Sequence, residues 1–427
     1  MRILARTEDD RRVLGHGATM KSGAHMRIFC TVTGTQGHAN EVLPIARALL
    51  RAGHEVAVAV PDALTGVFDQ TPVQLHPVMP SIPEVVQSIF SMRFERDPNQ
   101  PELVIDNRME MILWGGGPHI TGTFHTVLPL AREFRPDLIL RDGGEVTGVL
   151  IAEALGVPHV SCPSGPTNVI DPEGLLPLLN KRRAEVGLPA QDDPWSMYRY
   201  GRVDCMPAAY SFARYAVPEA FAYRQPASLN EAEGLPAELA GLAGDRPLVV
   251  ASVGSSLPTV MAMQDMGIDP PEGMIHPAET LRAIVGGLSA LDCHAVVGTA
   301  GFPIDGVTVG ANVHLMDWIP QMLLLQCAQL FITHAGYNSV REAVRQGIPM
   351  VSLPQFGDMH HNAARIDERH LGRTVNEVTP EGVAAVAKQV LHDDRITAGI
   401  RSAHRQMLGL PGVEAVVGLI ERTVDSH

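Results

Sequence analysis

An α/β chain of two facing, doubly wound Rossmann-like domains with a cleft between them is what the sequence predicts, on three observations. A strand–turn–helix–strand unit opens the ordered part. The same rhythm restarts near residue 247. Between the two blocks, residues 217–246 are rich in Pro, Ala, Glu and Gly, and the rhythm lapses. Two open parallel sheets of this kind bind ligands at the carboxyl ends of their strands.

The elements follow from the residues. Arg27 to Thr33 reads as a buried strand, followed by the turn Gly34-Thr35-Gln36-Gly37. Val42, Ile45, Ala46, Leu49 and Leu50 then recur at helical spacing, and Gly53 stops the helix. Pro44 is tolerable only near a helix start. Glu55 to Val60 completes a βαβ unit with a right-handed crossover. Strand 137–140, helix 145–155 and strand 157–162 repeat the pattern. Residues 80–125 lack it and read as binding loops around a Gly115-Gly116-Gly117 hinge. In the second block, strands are expected at 247–252, 294–297, 313–316, 330–333 and 349–353, and a last helix at 413–424. The linker is placed at 226–246 and residues 1–25 are set aside as a leader or tag-like extension, because they carry charge but no apolar run.

Composition narrows the function. The formal charge of −14 argues against a nucleic-acid partner. No apolar stretch approaches the roughly 20 residues of a membrane span. The five cysteines are scattered and odd in number, as expected for reduced thiols in a cytoplasmic protein.

The densest chemistry lies between residues 318 and 362. Phe331-Ile332-Thr333-His334-Ala335-Gly336-Tyr337-Asn338-Ser339 passes from a strand through a small turn into a helix, whose first N–H groups form an anion seat. Ser339-x-x-Glu342 also fits a plain capping box. Trp318-Ile319-Pro320-Gln321 follows a strand end, where Trp318 either offers a flat face to a nucleobase or is core. Asp358 stands on a loop after the next strand, suited to sugar hydroxyls.

This run resembles the donor-binding signature of the GT-B glycosyltransferases, most closely their bacterial natural-product branch, which is related to plant UDP-sugar enzymes. The likeness extends more weakly over residues 26–425. It implies a nucleotide base on Trp318 and the Ile319 backbone, and ribose at Gln321 and Glu342. It implies diphosphate at His334, Gly336, Asn338 and Ser339, with Ser255 beside it, and sugar at Asp358. Ser255 in Val253-Gly254-Ser255-Ser256 is also ordinary turn chemistry. By the same resemblance, residues 26–225 bind the acceptor, 247–408 bind the nucleotide-sugar, and the helix within 409–427 packs back on the first domain. Many relatives carry Asp-Gln or Glu-Gln where this chain has Asp358-Met359, and methionine satisfies no hydroxyl. A deoxysugar donor follows from that.

His38 opens the helix after the first strand, where the family carries its general base. A helix N-terminus disfavours imidazolium, so the ring is expected to be neutral near pH 7. Asp142, after the 137–140 strand, is its partner or else a helix cap. Phe90, Met92, Phe94, Met111 and Trp114 are candidates for an apolar acceptor chamber, such as a polyketide or aromatic aglycone would need. The expected reaction is inverting transfer from a nucleotide diphosphate, dTDP before UDP, with no cofactor. The chain has no Asp-x-Asp motif, so no metal is expected. A homodimer is left open. An NDP-sugar epimerase of the same fold and a non-catalytic GT-B-like partner protein are the competing readings. Gly34-x-x-Gly37 is not the Gly-x-Gly-x-x-Gly of a dinucleotide dehydrogenase.

Overall fold

In a computed structural model, residues 25–94, 106–227, 234–262 and 274–427 are described. The first sheet contains β1 (Arg27–Thr31), β2 (Glu55–Val60), β3 (Gln74–Pro77), β4 (Leu138–Arg141) and β5 (His159–Ser161), in the order β3-β2-β1-β4-β5. A short pair, β6 (Val203–Asp204) and β7 (Phe221–Ala222), lies between the blocks. The second sheet contains β8 (Leu248–Ser252), β9 (His294–Gly298), β10 (Val313–Met316), β11 (Leu330–Thr333), β12 (Met350–Ser352) and β13 (Gly372–Thr374), in the order β10-β9-β8-β11-β12-β13. All pairings are parallel. The expected α/β architecture of two doubly wound domains is observed.

Helices cover both faces of each sheet, which explains why the strands read as continuous apolar runs rather than alternating ones. Along β1, Ile28 and Cys30 point into one core and Phe29 into the other. Along β8, Val249 and Ala251 face one core and Val250 the other. The strand order reverses between β1 and β4 in the first sheet and between β8 and β11 in the second. Each reversal splays the following loops apart and leaves a crevice at the carboxyl ends.

Three local expectations need correction. Residues 82–94 and 107–116 are helices, not loops, and 119–134 is a third. Gly115 and Gly116 are not a hinge: they lie inside a helix, and a Cβ on Gly116 would come within 2.9 Å of Leu175 and 2.8 Å of Leu178. They are small because two helices touch there. Pro44 sits in the interior of the Gln36–Arg51 helix rather than near its start. The lost backbone bond is outweighed by burying a long apolar face that includes Val42, Ile45 and Leu49.

The final helix, Glu414–Asp425, inserts Val416, Val417 and Ile420 into the core of the first sheet. Arg51 to Glu414 at 3.0 Å and His54 to Glu421 at 3.3 Å border that contact. All five cysteines are free and four are buried. No helix among the described residues is long and apolar enough to cross a membrane.

Candidate active site

Both reversal points open into one cleft of about 1100 Å³. Its first wall carries His38, in the first turn of the Gln36–Arg51 helix, and it faces the turn after β4. His38 Nδ1 lies 2.7 Å from Asp142 Oδ2, across 104 residues of sequence. Asp142 is completely buried, and its other oxygen accepts from the Gly144 N–H at 3.2 Å. It is not a helix cap. The helix begins at Thr147, and the neighbouring Glu145 takes the Thr147 and Gly148 N–H groups at 2.5 and 2.8 Å. The fully buried Arg141 donates to the carbonyls of Gly143, Glu145 and Met197, which fixes the turn that presents Asp142.

Electrostatics at His38 run opposite to the sequence expectation. Burial lowers its pKa, but Asp142, then Glu41 and Asp358, outweigh burial and raise it from 6.5 to about 9. The ring is therefore an imidazolium near neutral pH in the free protein. The helix-terminus effect is worth only about 1 kcal/mol, less than a buried carboxylate in direct contact.

The opposite wall is built from the loops after β8, β10, β11 and β12. Trp318 is 63% exposed and lines the cleft, so it is not core. Gln321 donates to Glu342 at 2.7 Å and to Ser339 at 3.3 Å. That arrangement replaces the capping box: the Tyr337–Gln346 helix has Gly336 as its N-cap, with no side-chain cap. The N-cap Gly336 and the first-turn residues Tyr337, Asn338 and Ser339 line the cleft, at the end of the helix where N–H groups have no intrahelical partner. His334 is buried, and burial lowers its pKa to about 4 despite a backbone hydrogen bond with Ser252. It is thus a neutral donor. Its Nδ1 has no partner among the described residues. Gly254 and Gly336 are glycines because the imidazole lies over them: a Cβ on either would come within 2.3 Å of the ring. Ser255 and Ile319 also line the cleft.

Asp358 joins the two walls. Its carboxylate accepts from Asn362 at 2.6 Å, and Asn362 also donates to the Ala335 carbonyl at 2.9 Å. Burial raises the Asp358 pKa, against Asn362 and His38. A Cβ on Gly165, in the first domain, would collide with its oxygen.

Known proteins share this fold. Superposition on the Streptomyces sp. SF2575 glycosyltransferase SsfS6, solved with thymidine diphosphate, covers 93% of this chain and 100% of that one, with a TM-score of 0.69 and 19% identity. The chain has the GT-B fold. Residues 279–402 match the family model described as UDP-glucoronosyl and UDP-glucosyl transferase. Human UDP-glucuronosyltransferase 3A1 is 37% identical over 128 residues, 28% of this chain. The matched stretch spans only about a quarter, 24%, of that relative's length. The aclacinomycin-T 2-deoxy-L-fucose transferase of Streptomyces galilaeus aligns over 94% of this chain and 97% of its own, at 23% identity. The expected resemblance to the bacterial natural-product GT-B branch is thereby borne out.

Within this GT-B cleft, Phe90, Met111 and Trp114 lie together with Ile82, Val86 and Ile89 on the first-domain side. The side chains of Met92 and Phe94 lie outside the described residues. Asn107 donates to the Gly357 carbonyl at 2.8 Å, which brings the 107–116 helix against the Asp358 loop. Sequence reasoning missed Glu110, Glu41 and Arg341. Glu110 lines the cleft, and burial and Asp358 raise its pKa. Glu41, three residues after His38, was legible as a same-face neighbour. Atoms of His38, Glu41 and Asp142 lie within 4.8 Å of one another. Within the group, His38 and Asp142 share a hydrogen bond and Glu41 is paired with Arg341 at 3.0 Å.

Proposed function

We propose that this chain is an inverting glycosyltransferase that moves a sugar from a nucleotide diphosphate to a hydroxyl of an apolar natural-product acceptor. The observation that carries the proposal is the His38–Asp142 pair facing, across one cleft, a helix N-terminus flanked by a neutral histidine and an exposed tryptophan.

In this reading the base stacks on Trp318 and the ribose lies by Gln321 and Glu342. The diphosphate takes the N–H groups at Gly336 to Ser339 with His334 and Ser255, and the sugar lies by Asp358. The acceptor rests among Phe90, Met111 and Trp114. In its neutral form, reached as the resting proton is lost toward pH 9, His38 keeps Nδ1–H on Asp142 and its Nε2 takes the acceptor's proton. The acceptor oxygen attacks the anomeric carbon from the side opposite the leaving diphosphate, which inverts the centre. Asp142 stabilises the imidazolium that forms. Charge growing on the leaving group meets the helix N-terminus, so the reaction needs no metal clamp. The thymidine diphosphate bound to SsfS6 favours dTDP over UDP as carrier. The buried Met359 beside Asp358 favours a deoxysugar, since it offers no hydroxyl partner.

Calorimetric titration with dTDP and with UDP, in EDTA, tests the donor half. Tight binding of dTDP supports the reading, and binding of neither overturns it. His38→Ala then tests the chemistry: transfer should vanish while nucleotide affinity stays, and an epimerase would show instead a change in the sugar with no acceptor present.

A further inference from the structure

Glu41 lies three residues beyond His38 on the same helix and is buried. Its Oε1 accepts from Arg341 Nη2 at 3.0 Å, although Arg341 belongs to the Tyr337–Gln346 helix of the other domain. Arg341 is fully buried, sits 5.0 Å from the Tyr337 ring centroid, and also faces Gln225 at 3.4 Å. Tyr337 in turn donates to Asp204, at 2.8 Å from the nearer oxygen. A buried polar chain thus ties the helix proposed to hold the diphosphate to the helix that carries His38. Glu41 Oε2 has no hydrogen-bond partner among the described residues, and the carboxylate lies within 4.8 Å of atoms of both His38 and Asp142.

We infer that Glu41 is a positioning residue for His38, and that its 3.0 Å ion pair with Arg341, reaching across the domain interface, favours its charged form.

The physical reason is the cost of an isolated buried charge. A carboxylate with no cation beside it takes up a proton instead of staying ionised. Burial pushes the Glu41 pKa well up, and Asp142 and Asp204 add to that push; Arg341, in contact at 3.0 Å, and then His38 oppose it. The adjacent Cys162 thiol is buried, which raises its pKa and keeps it neutral. When Arg341 is in place, Glu41 joins Asp142 and Asp358 in favouring the imidazolium. When it is not, the ring answers to Asp142 and Asp358 alone. The basicity of His38 is therefore set partly by the docking of the nucleotide-binding domain. This rests on His38 being the acceptor's base.

The test compares wild type with Glu41→Gln, Arg341→Met, the double variant and Arg341→Lys. Two readouts are taken on each: the pH profile of kcat/KM, and the titration of the His38 ring by NMR, assigned with His38→Gln. Glu41→Gln and Arg341→Met should each move both midpoints down by roughly one pH unit. The double variant should move them no further than either single one, and Arg341→Lys should restore most of the position. Activity lost at every pH with unmoved midpoints would make the pair a mere interface contact and overturn the inference, as would additive shifts. If Arg341→Met does not fold, the NMR titration of Glu41→Gln still decides. A wild type with no transfer but a Glu41-dependent ring titration would sink the proposed function and leave the coupling standing.

Discussion

Replacing Asp142 with Asn removes the charge that dominates His38 while keeping the shape of the turn. Holding the ring at about 9 rather than 6.5 favours the imidazolium by about 3 kcal/mol, at about 1.4 kcal/mol per pH unit. In wild type, kcat/KM should rise about tenfold per pH unit from pH 6.5 and level near 9, as the base loses its resting proton. In Asp142→Asn, burial remains and its main opponent is gone, so the limb should move to a lower pH. The plateau should nevertheless fall, by roughly 10²- to 10⁴-fold, because the cation formed in the reaction has lost its partner. The assay is product formation at saturating donor across pH 5.5–10, with nucleotide affinity measured in parallel. A wild-type profile flat across this range, or a limb unmoved in the variant, would refute the assignment of His38 and Asp142 as one proton-handling pair.

Other outcomes follow from the same geometry. Trp318→Ala should weaken nucleotide binding roughly 5- to 150-fold, the equivalent of about 1–3 kcal/mol of base stacking, and leave the melting temperature unchanged because the ring is 63% exposed; calorimetry and a thermal melt check both halves. Gly336→Ala should push the His334 ring off its seat, since the new Cβ would lie 2.3 Å from Nε2, and lower diphosphate affinity by roughly tenfold or more; an unchanged Kd would remove His334 from the donor site. Burial holds His119, His159 and His334 at about 4, 3 and 4. The unfolded chain takes those protons near 6.5 and the folded one does not, so stability should be full above pH 6.5 and fall as pH drops toward 3. Urea midpoints at pH 7.5 and 5 should differ less in His159→Gln than in wild type, and an equal difference would count against a buried neutral His159. EDTA should leave the transfer rate unchanged, whereas a strict requirement for a divalent ion would overturn the role given to the helix N-terminus.

Some of the site was legible because it is local. Gly34 to His38, Val253 to Ser256 and His334 to Ser339 each follow an apolar strand directly, and a strand end feeding a helix places its turn at the carboxyl edge of a sheet whatever else the chain does. Trp318 was ambiguous between core and platform because an aromatic side chain suits either, and only its exposure in the cleft decides. The helices at 82–94 and 107–116 escaped notice because their apolar residues serve both the core and the cleft, which blurs the helical period.

By itself the sequence determined the two parallel sheets, the positions of most of their strands and the turns that carry His38, Ser255, His334 and Asp358. It could do so because hydrophobic period and turn chemistry act over a few residues. Only the tertiary structure decided that His38 meets Asp142, that Arg341 reaches Glu41 across 300 positions, and that the carboxylates around His38 outweigh its burial and favour the charged ring. The direction of that shift is a sum over groups brought together by folding, and Coulomb interactions depend on distance in space and on local burial, neither of which sequence separation records.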